Sequence, residues 1–196
     1  MGVSRAELKL EQAARAFSFG FQGKTVLDIG SSTGGFTEFA LKSGAKKVIA
    51  VEKGTKQMAA PLRFDGCVEL HEKTDIFDVV AAGKLKRGDE IEIEQPDVIL
   101  ADVSFVSLKK ILTHVKKSIA GENTEYLVML KPQFEARPEQ LVKGVVKNEK
   151  IRREIIKEFE MWLKTKGFLI LKKRDNEVVG KNGNRERFYY LKPSKF

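Results

Sequence analysis

The run Thr25-Val26-Leu27-Asp28-Ile29-Gly30-Ser31-Ser32-Thr33-Gly34-Gly35-Phe36 constrains this chain more than any other, because an apolar strand feeds straight into a glycine-rich turn and then a helix. Gly30, Gly34 and Gly35 let the backbone turn sharply and approach a ligand where a Cβ would intrude. The helix that follows opens with N–H groups that have no partner within it. The same joint occurs in α/β proteins that bind nothing there, so it fixes architecture before it fixes chemistry.

Hydrophobic periodicity extends the joint into a βαβ alternation. It predicts strands over Thr25–Ile29, Lys47–Val51, Cys67–Leu70, Val98–Asp102, Tyr126–Leu130, Phe168–Lys173 and Arg187–Leu191. Helices are expected over Ser4–Phe19, Gly35–Ser43, Lys56–Ala60, Ile76–Ala82, Ser107–Val115 and Asn148–Lys166, the first with a Ser4/Glu7 capping box and the last capped by Asn148. Val98-Ile99-Leu100-Ala101 is wholly apolar, as a parallel strand covered on both faces should be. The polar loop Arg174–Glu186 leaves no room for a crossover helix, so the last two strands should form an antiparallel hairpin at one edge. The expected fold is α/β: a Rossmann-like class I methyltransferase domain spanning residues 1–196, with a mostly parallel seven-stranded sheet. Residues 1–20 form a helix on or beside the active site, and Lys84–Gln95 reads as a charged surface excursion.

The glycine spacing, D-x-G-x-x-x-G-G, departs from the dinucleotide fingerprint. A carboxylate before the first glycine repels a pyrophosphate, whereas a sulfonium carries positive charge. Asp28 therefore favours S-adenosylmethionine over a nicotinamide dinucleotide. Candidate cofactor residues are Asp28, Gly30, Ser31, Ser32, Thr33, Gly34, Gly35 and Phe36 in the turn, with Glu52 at the next strand end to accept from ribose hydroxyls. Thr74, Asp75 and Asp102 complete the set, Asp75 near the adenine edge. The glycine turn upstream favours the ribose reading of Glu52 over that of a solvated strand end, whereas Asp75 reads equally as a cap for the helix expected at Ile76.

A net charge of +9 points to a polyanionic partner, or to a generally basic surface if the charge does not cluster. Cys67 is the only cysteine, which excludes an intramolecular disulfide and a cysteine-rich zinc site; with only His71 and His114, a metal centre is not expected. No apolar run approaches the roughly 20 residues of a membrane span, and the start of the chain lacks a signal-peptide core, so a cytosolic location is expected.

Four charged residues stand at strand or helix ends: Lys9, Asp102, Lys131 and Glu186. Singly, each reads as part of a solvated salt bridge worth at most about 1 kcal/mol. Together their surroundings carry a resemblance. Ser4-Arg5-Ala6-Glu7-Leu8-Lys9-Leu10, the glycine segment from Asp28, Asp102-Val103-Ser104-Phe105 and Lys131-Pro132-Gln133-Phe134-Glu135 resemble, in this order, the TlyA or haemolysin A family, which is similar to FtsJ-type ribosomal RNA ribose methyltransferases. That resemblance covers nearly the whole chain. It implies that Lys9, Asp102, Lys131 and Glu186 form a Lys-Asp-Lys-Glu tetrad for 2′-O-methylation, Glu186 being placed through Gly183-Asn184-Arg185-Glu186.

The implied substrate is ribosomal RNA or a ribosomal subunit, with Lys131 deprotonating the hydroxyl or steering it while water takes the proton. Arg5, Arg137, Lys143, Lys147 and Arg185 are candidates for phosphate contacts, and the Gln133–Val146 loop could fold over the RNA or serve as a plain connection. Family members usually carry a small RNA-binding domain before the first helix, and this sequence starts almost at that helix. Competing readings are a nicotinamide oxidoreductase, a non-catalytic RNA-binding domain and a membrane-acting haemolysin. Glycine spacing and Asp28 oppose the first, the acceptor-side charges the second, and the lack of a spanning segment or an evident basic amphipathic surface helix with a broad aromatic face the third.

Overall fold

The computed structural model describes residues 4–86, 88–177 and 183–194. Seven strands form one sheet in the order β3-β2-β1-β6-β7-β9-β8. These are β1 (Thr25–Ile29), β2 (Lys47–Glu52), β3 (Val68–Glu72), β6 (Val98–Ala101), β7 (Glu125–Leu130), β8 (Phe168–Asp175) and β9 (Arg187–Pro193). The first five run parallel, and β9 is antiparallel to both β7 and β8. The antiparallel pair at the edge matches the expected hairpin; of its loop, residues 178–182 lie outside the described residues.

Burial on both faces explains why the central strands carry so few polar side chains. On one face Leu27, Ile49, Ile99, Tyr126 and Val128 pack under α4 (Leu108–Ser118) and α5 (Glu149–Thr165). On the other, Val26, Val48, Leu100, Leu127 and Phe188 pack under α1 (Arg5–Phe17) and α2 (Gly35–Lys42). Phe159 of α5, fully buried between Trp162 and Tyr189, illustrates the weight of these contacts: truncating such a side chain to alanine costs about 3–5 kcal/mol.

The first helix is clamped so that its side chains reach the strand ends. The capping box forms, with Ser4 Oγ accepting from the Glu7 amide. Gly35 has no Cβ, and one built there would strike Ser4 and Ala6, so glycine is what lets α1 lie against the start of α2. Glu7 then pairs with Lys42 of α2 at 2.8 Å. At the other end Lys172 Nζ donates to the Phe17 carbonyl, which the helix leaves unpaired.

Two expectations fail. Ile76–Ala82 is not a helix but a 3-10 turn, Ile76–Asp78, running into β4 (Val79–Ala81). Its partner β5 (Ile91–Ile93) lies in the segment read as a charged excursion; parallel pairing of these short strands, and burial of Val79, Val80, Ala81 and Ile93, override the helical spacing. The helix expected at Lys56–Ala60 instead occupies Ala60–Arg63 (α3), because Lys56 sits at φ 52 and Pro61 suits a first helical turn. Among the described residues no helix is long and apolar enough to cross a membrane.

Candidate active site

Strand order reverses between β1 and β6, and a ligand in an open α/β sheet lies at such a switch point, beyond the carboxyl ends of the strands. A cleft of about 700 Å³ opens there. Its floor is Ile29, Gly30 and Val51, its polar wall Ser32, Glu52, Lys53 and Gln57, and its far side Thr74, Asp75, Ile76 and Phe77. Asp102, Val103, Ser104, Phe105, Val106 and Ile111 close the remaining side. Such a volume lies within the range that holds a nucleoside-sized ligand.

The glycine turn divides into residues that face the cleft and residues that hold it in shape. Gly30, at φ 78, approaches the Asp102 carbonyl so closely that an added Cβ would stand 3.1 Å from that oxygen. The Ser32 amide donates to Glu52 Oε2 at 2.9 Å, and the Gly54 amide donates to Glu52 Oε1 at 2.6 Å, so one carboxylate ties the turn to the end of β2. Ser31 is buried, Thr33 is exposed with its carbonyl accepting from the Ala59 amide, and Gly34 packs against Leu62 and Met58. Phe36 turns into the core beside Phe188. Of the turn residues from the sequence, only Gly30 and Ser32 line the cleft.

Asp28 lies beneath the turn, fully buried, accepting from Thr37 Oγ1 at 2.7 Å. Burial pushes its pKa up to about 7, only partly offset by the Thr37 hydrogen bonds, with Asp102 and Glu52 adding repulsion. It serves the start of α2, where Gly34 offers no side-chain cap. Asp75 caps the 3-10 turn through the Phe77 amide, as one reading of it had it, and also lines the cleft. Partial burial raises its pKa, but Lys53 at 2.8 Å and the Phe77 amide outweigh that and hold it below the ordinary carboxylate value.

The four charges form two ion pairs at adjacent strand ends. Lys131 Nζ lies 2.6 Å from Asp102 Oδ1 and donates to Ser104 Oγ at 2.9 Å. Lys9 Nζ, carried on α1, donates to Glu186 Oε2 at 2.6 Å. In the β7–β9 ladder Leu130 faces Arg187, which puts Lys131 and Glu186 at neighbouring positions just beyond it. Both lysine side chains are only 12% exposed, so these pairs are not the solvated kind. Lys9, Lys131 and Glu186 do not line the cleft themselves; Asp102 and Ser104, which do, both contact Lys131.

Glu186 is held from several directions. Its carbonyl accepts from the Asn176 amide at 2.9 Å, and Asn176 Nδ2 reaches its carboxylate at 3.4 Å. Buried Arg152 donates to the Arg185 carbonyl at 3.2 Å and pairs with Asp175 at 2.8 Å. Burial raises the Asp175 pKa, yet Arg152 and Arg187 overcome it and keep the carboxyl below its usual range.

Sequence reasoning missed Ser104 as a partner of Lys131, and it missed an aromatic rim. Phe105 is 92% exposed at φ 65, and its ring lies 5.3 Å from that of Phe134, two residues past Pro132. A bulky residue in the left-handed region is strained, which is the available signal once the backbone is known. Of the phosphate candidates, Arg5, Arg137, Lys143, Lys147 and Arg185 are all exposed, and Arg137 pairs with Glu139 at 3.2 Å.

Comparison with known proteins places the chain in a family. A family model described as FtsJ-like methyltransferase matches residues 2–192. The chain is 35% identical to YqxC of Bacillus subtilis over 190 residues, covering 96% of this chain and 65% of that protein. It is 33% identical over 190 residues to the 23S rRNA (cytidine-2′-O)-methyltransferase TlyA of Campylobacter jejuni, covering 96% of this chain and 70% of the relative. The chain thus spans about two thirds of the length of these curated relatives. A solved Lactococcus lactis structure that carries the hemolysin name superposes with a TM-score of 0.88 at 37% identity, over 97% of this chain and 88% of that one.

Proposed function

Because the chain belongs to the FtsJ-like methyltransferase family, we propose that it transfers the methyl group of S-adenosylmethionine to a ribose 2′-hydroxyl of ribosomal RNA. The observation that supports this most is the Lys131–Asp102 pair, whose Asp102 is also a wall of the cleft.

The cleft residues suit the cofactor. Glu52 stands at the end of β2, where a carboxylate meets ribose hydroxyls, and Gly30 leaves room for close approach to the backbone. Ile29, Val51, Ile76 and Phe77 offer apolar surface for a base, with Asp75 beside them. When bound, S-adenosylmethionine supplies an electrophilic methyl on a positively charged sulfur.

On the acceptor side, Lys131 positions the 2′-hydroxyl. An ammonium paired with Asp102 and bonded to Ser104 is a hydrogen-bond donor, which suits stabilising the oxygen as it loses its proton to water. Lys9 and Glu186, paired next to Lys131, are suited to fixing the ribose and its neighbouring phosphate. Phe105, exposed at the cleft with the Phe134 ring 5.3 Å away, offers an aromatic surface suited to stacking a nucleobase. The exposed cations on the same loops add sequence-independent attraction for the backbone.

The test is to incubate the protein with labelled S-adenosylmethionine and unmodified ribosomal subunits, then separate RNA from protein. Label in the RNA fraction is expected; label confined to ribosomal protein, or absent, contradicts the reading.

A further inference from the structure

The loop that leaves Lys131 and ends at Asn148 is gripped at one point by a side chain from the segment that carries Glu186. Within the loop Val142 and Val145 exchange backbone hydrogen bonds of 2.9 and 3.1 Å, and the two residues between them, Lys143 and Gly144, sit at φ 51 and φ 76. That is a tight hairpin with both central residues left-handed, which displays Lys143 at its tip. Asn184 grips its base: Oδ1 accepts from the Val146 amide at 3.1 Å, and Nδ2 donates to the Gly144 carbonyl at 3.1 Å. The side chain is buried, so it has exchanged water for these two partners and holds them firmly.

The next two residues have jobs of their own. Arg185 is exposed, with its carbonyl fixed by Arg152, and Glu186 meets Lys9. One short stretch therefore holds the hairpin through Asn184, presents a cation at Arg185 and completes an ion pair at Glu186. We propose that Asn184 is a positioning residue that sets the Lys143 hairpin at a fixed distance from the transfer centre, so that Lys143 and Arg185 engage the substrate backbone in register with the target ribose. The inference rests on the function proposed above. Asn184 touches neither cofactor nor hydroxyl; it acts by keeping a basic knuckle from drifting away from the ion pairs.

The test uses Asn184→Ala in the full chain, assayed on unmodified ribosomal subunits, with the Val146 amide followed by hydrogen exchange. Losing register should raise KM for the subunits about five- to tenfold, leave kcat within about twofold and leave the cofactor Kd within about twofold. Val146 should exchange faster than in the parent protein. A second variant, Gly144→Ala, strains the hairpin at its exposed tip without altering Asn184 or Glu186, and it should show the same rise in KM. A fall in kcat at unchanged KM would mean that Asn184 acts only through Glu186, and unchanged KM in both variants would remove the clasp from substrate binding; either overturns the inference. If the parent protein itself leaves the RNA unlabelled, the proposed function fails, whereas a labelled parent with indifferent variants sinks this inference alone.

Discussion

The two halves of the cleft are built by different means. On the β1–β2 side the carboxylates accept from backbone amides: Glu52 receives those of Ser32 and Gly54, and Asp75 receives that of Phe77 besides pairing with Lys53. On the β6–β7–β9 side side chains pair with side chains from far along the chain, Lys131 with Asp102 and Lys9 with Glu186. A carboxylate tied to amides shapes a fixed receptacle. Partly buried ion pairs hold charged heads at defined points, which suits orienting an acceptor hydroxyl. Under the proposed function, the difference separates a binding half from a reacting half.

Substitutions can break that contrast. Lys131→Ala should lower single-turnover transfer by about a thousandfold or more while cofactor Kd stays within about twofold, as for a group used only when the bond forms. Retained turnover would remove lysine from the chemistry. Glu52→Ala should do the reverse, raising the cofactor Kd about thirtyfold by calorimetry, since it frees two backbone amides as well as a ribose partner, with transfer at saturating cofactor largely kept. Equal losses in both measurements for either variant would erase the distinction between the halves. Phe105→Ala should raise KM for ribosomal subunits by about tenfold through lost base stacking, without changing cofactor affinity.

Asp28 gives the smallest expected effect and sharpens the contrast in another way, since it supports the binding half from below. Its folded pKa, about 7, lies above the ordinary value of 3.8, so the folded chain keeps a proton that the unfolded chain releases. The stability this confers is present at low pH, declines as pH rises between those two values and levels off above them. Asp28→Asn is neutral throughout and removes that decline. The melting temperature of the variant relative to the parent should therefore rise by about 4 °C or more between about pH 5 and pH 8. A constant difference would show that Asp28 is ionised in the folded chain.

Much of this was legible in the residues, and the reasons are local. Asp102 and Lys131 stand out because wholly apolar strands end abruptly in charge, and Glu52 stands out by following Lys47–Val51. The tetrad as a set came through family resemblance: Lys9 and Glu186 are 177 positions apart, and no periodicity links them. β4 and β5 escaped because three-residue strands leave too little pattern to oppose a helical spacing. Asp28 was read as a ligand to the cofactor because its charge was considered without its side of the strand. Val26, two residues earlier, faces α2, and so must Asp28. Asn184 was hidden for a similar reason: an asparagine beside a glycine in a polar loop reads as an exposed turn, and only the returning Gly144–Val146 backbone buries it.

The central claim is that the methyl group arrives on a ribose oxygen held at the Lys131–Asp102 end of the cleft. A 2′-O-methyl group blocks alkaline cleavage of the adjacent phosphodiester, whereas a methylated base does not. Alkaline hydrolysis of RNA labelled by the parent protein should therefore leave the label in a resistant dinucleotide, with none after Lys131→Ala. Label recovered in mononucleotides would place the methyl on a base and contradict the claim.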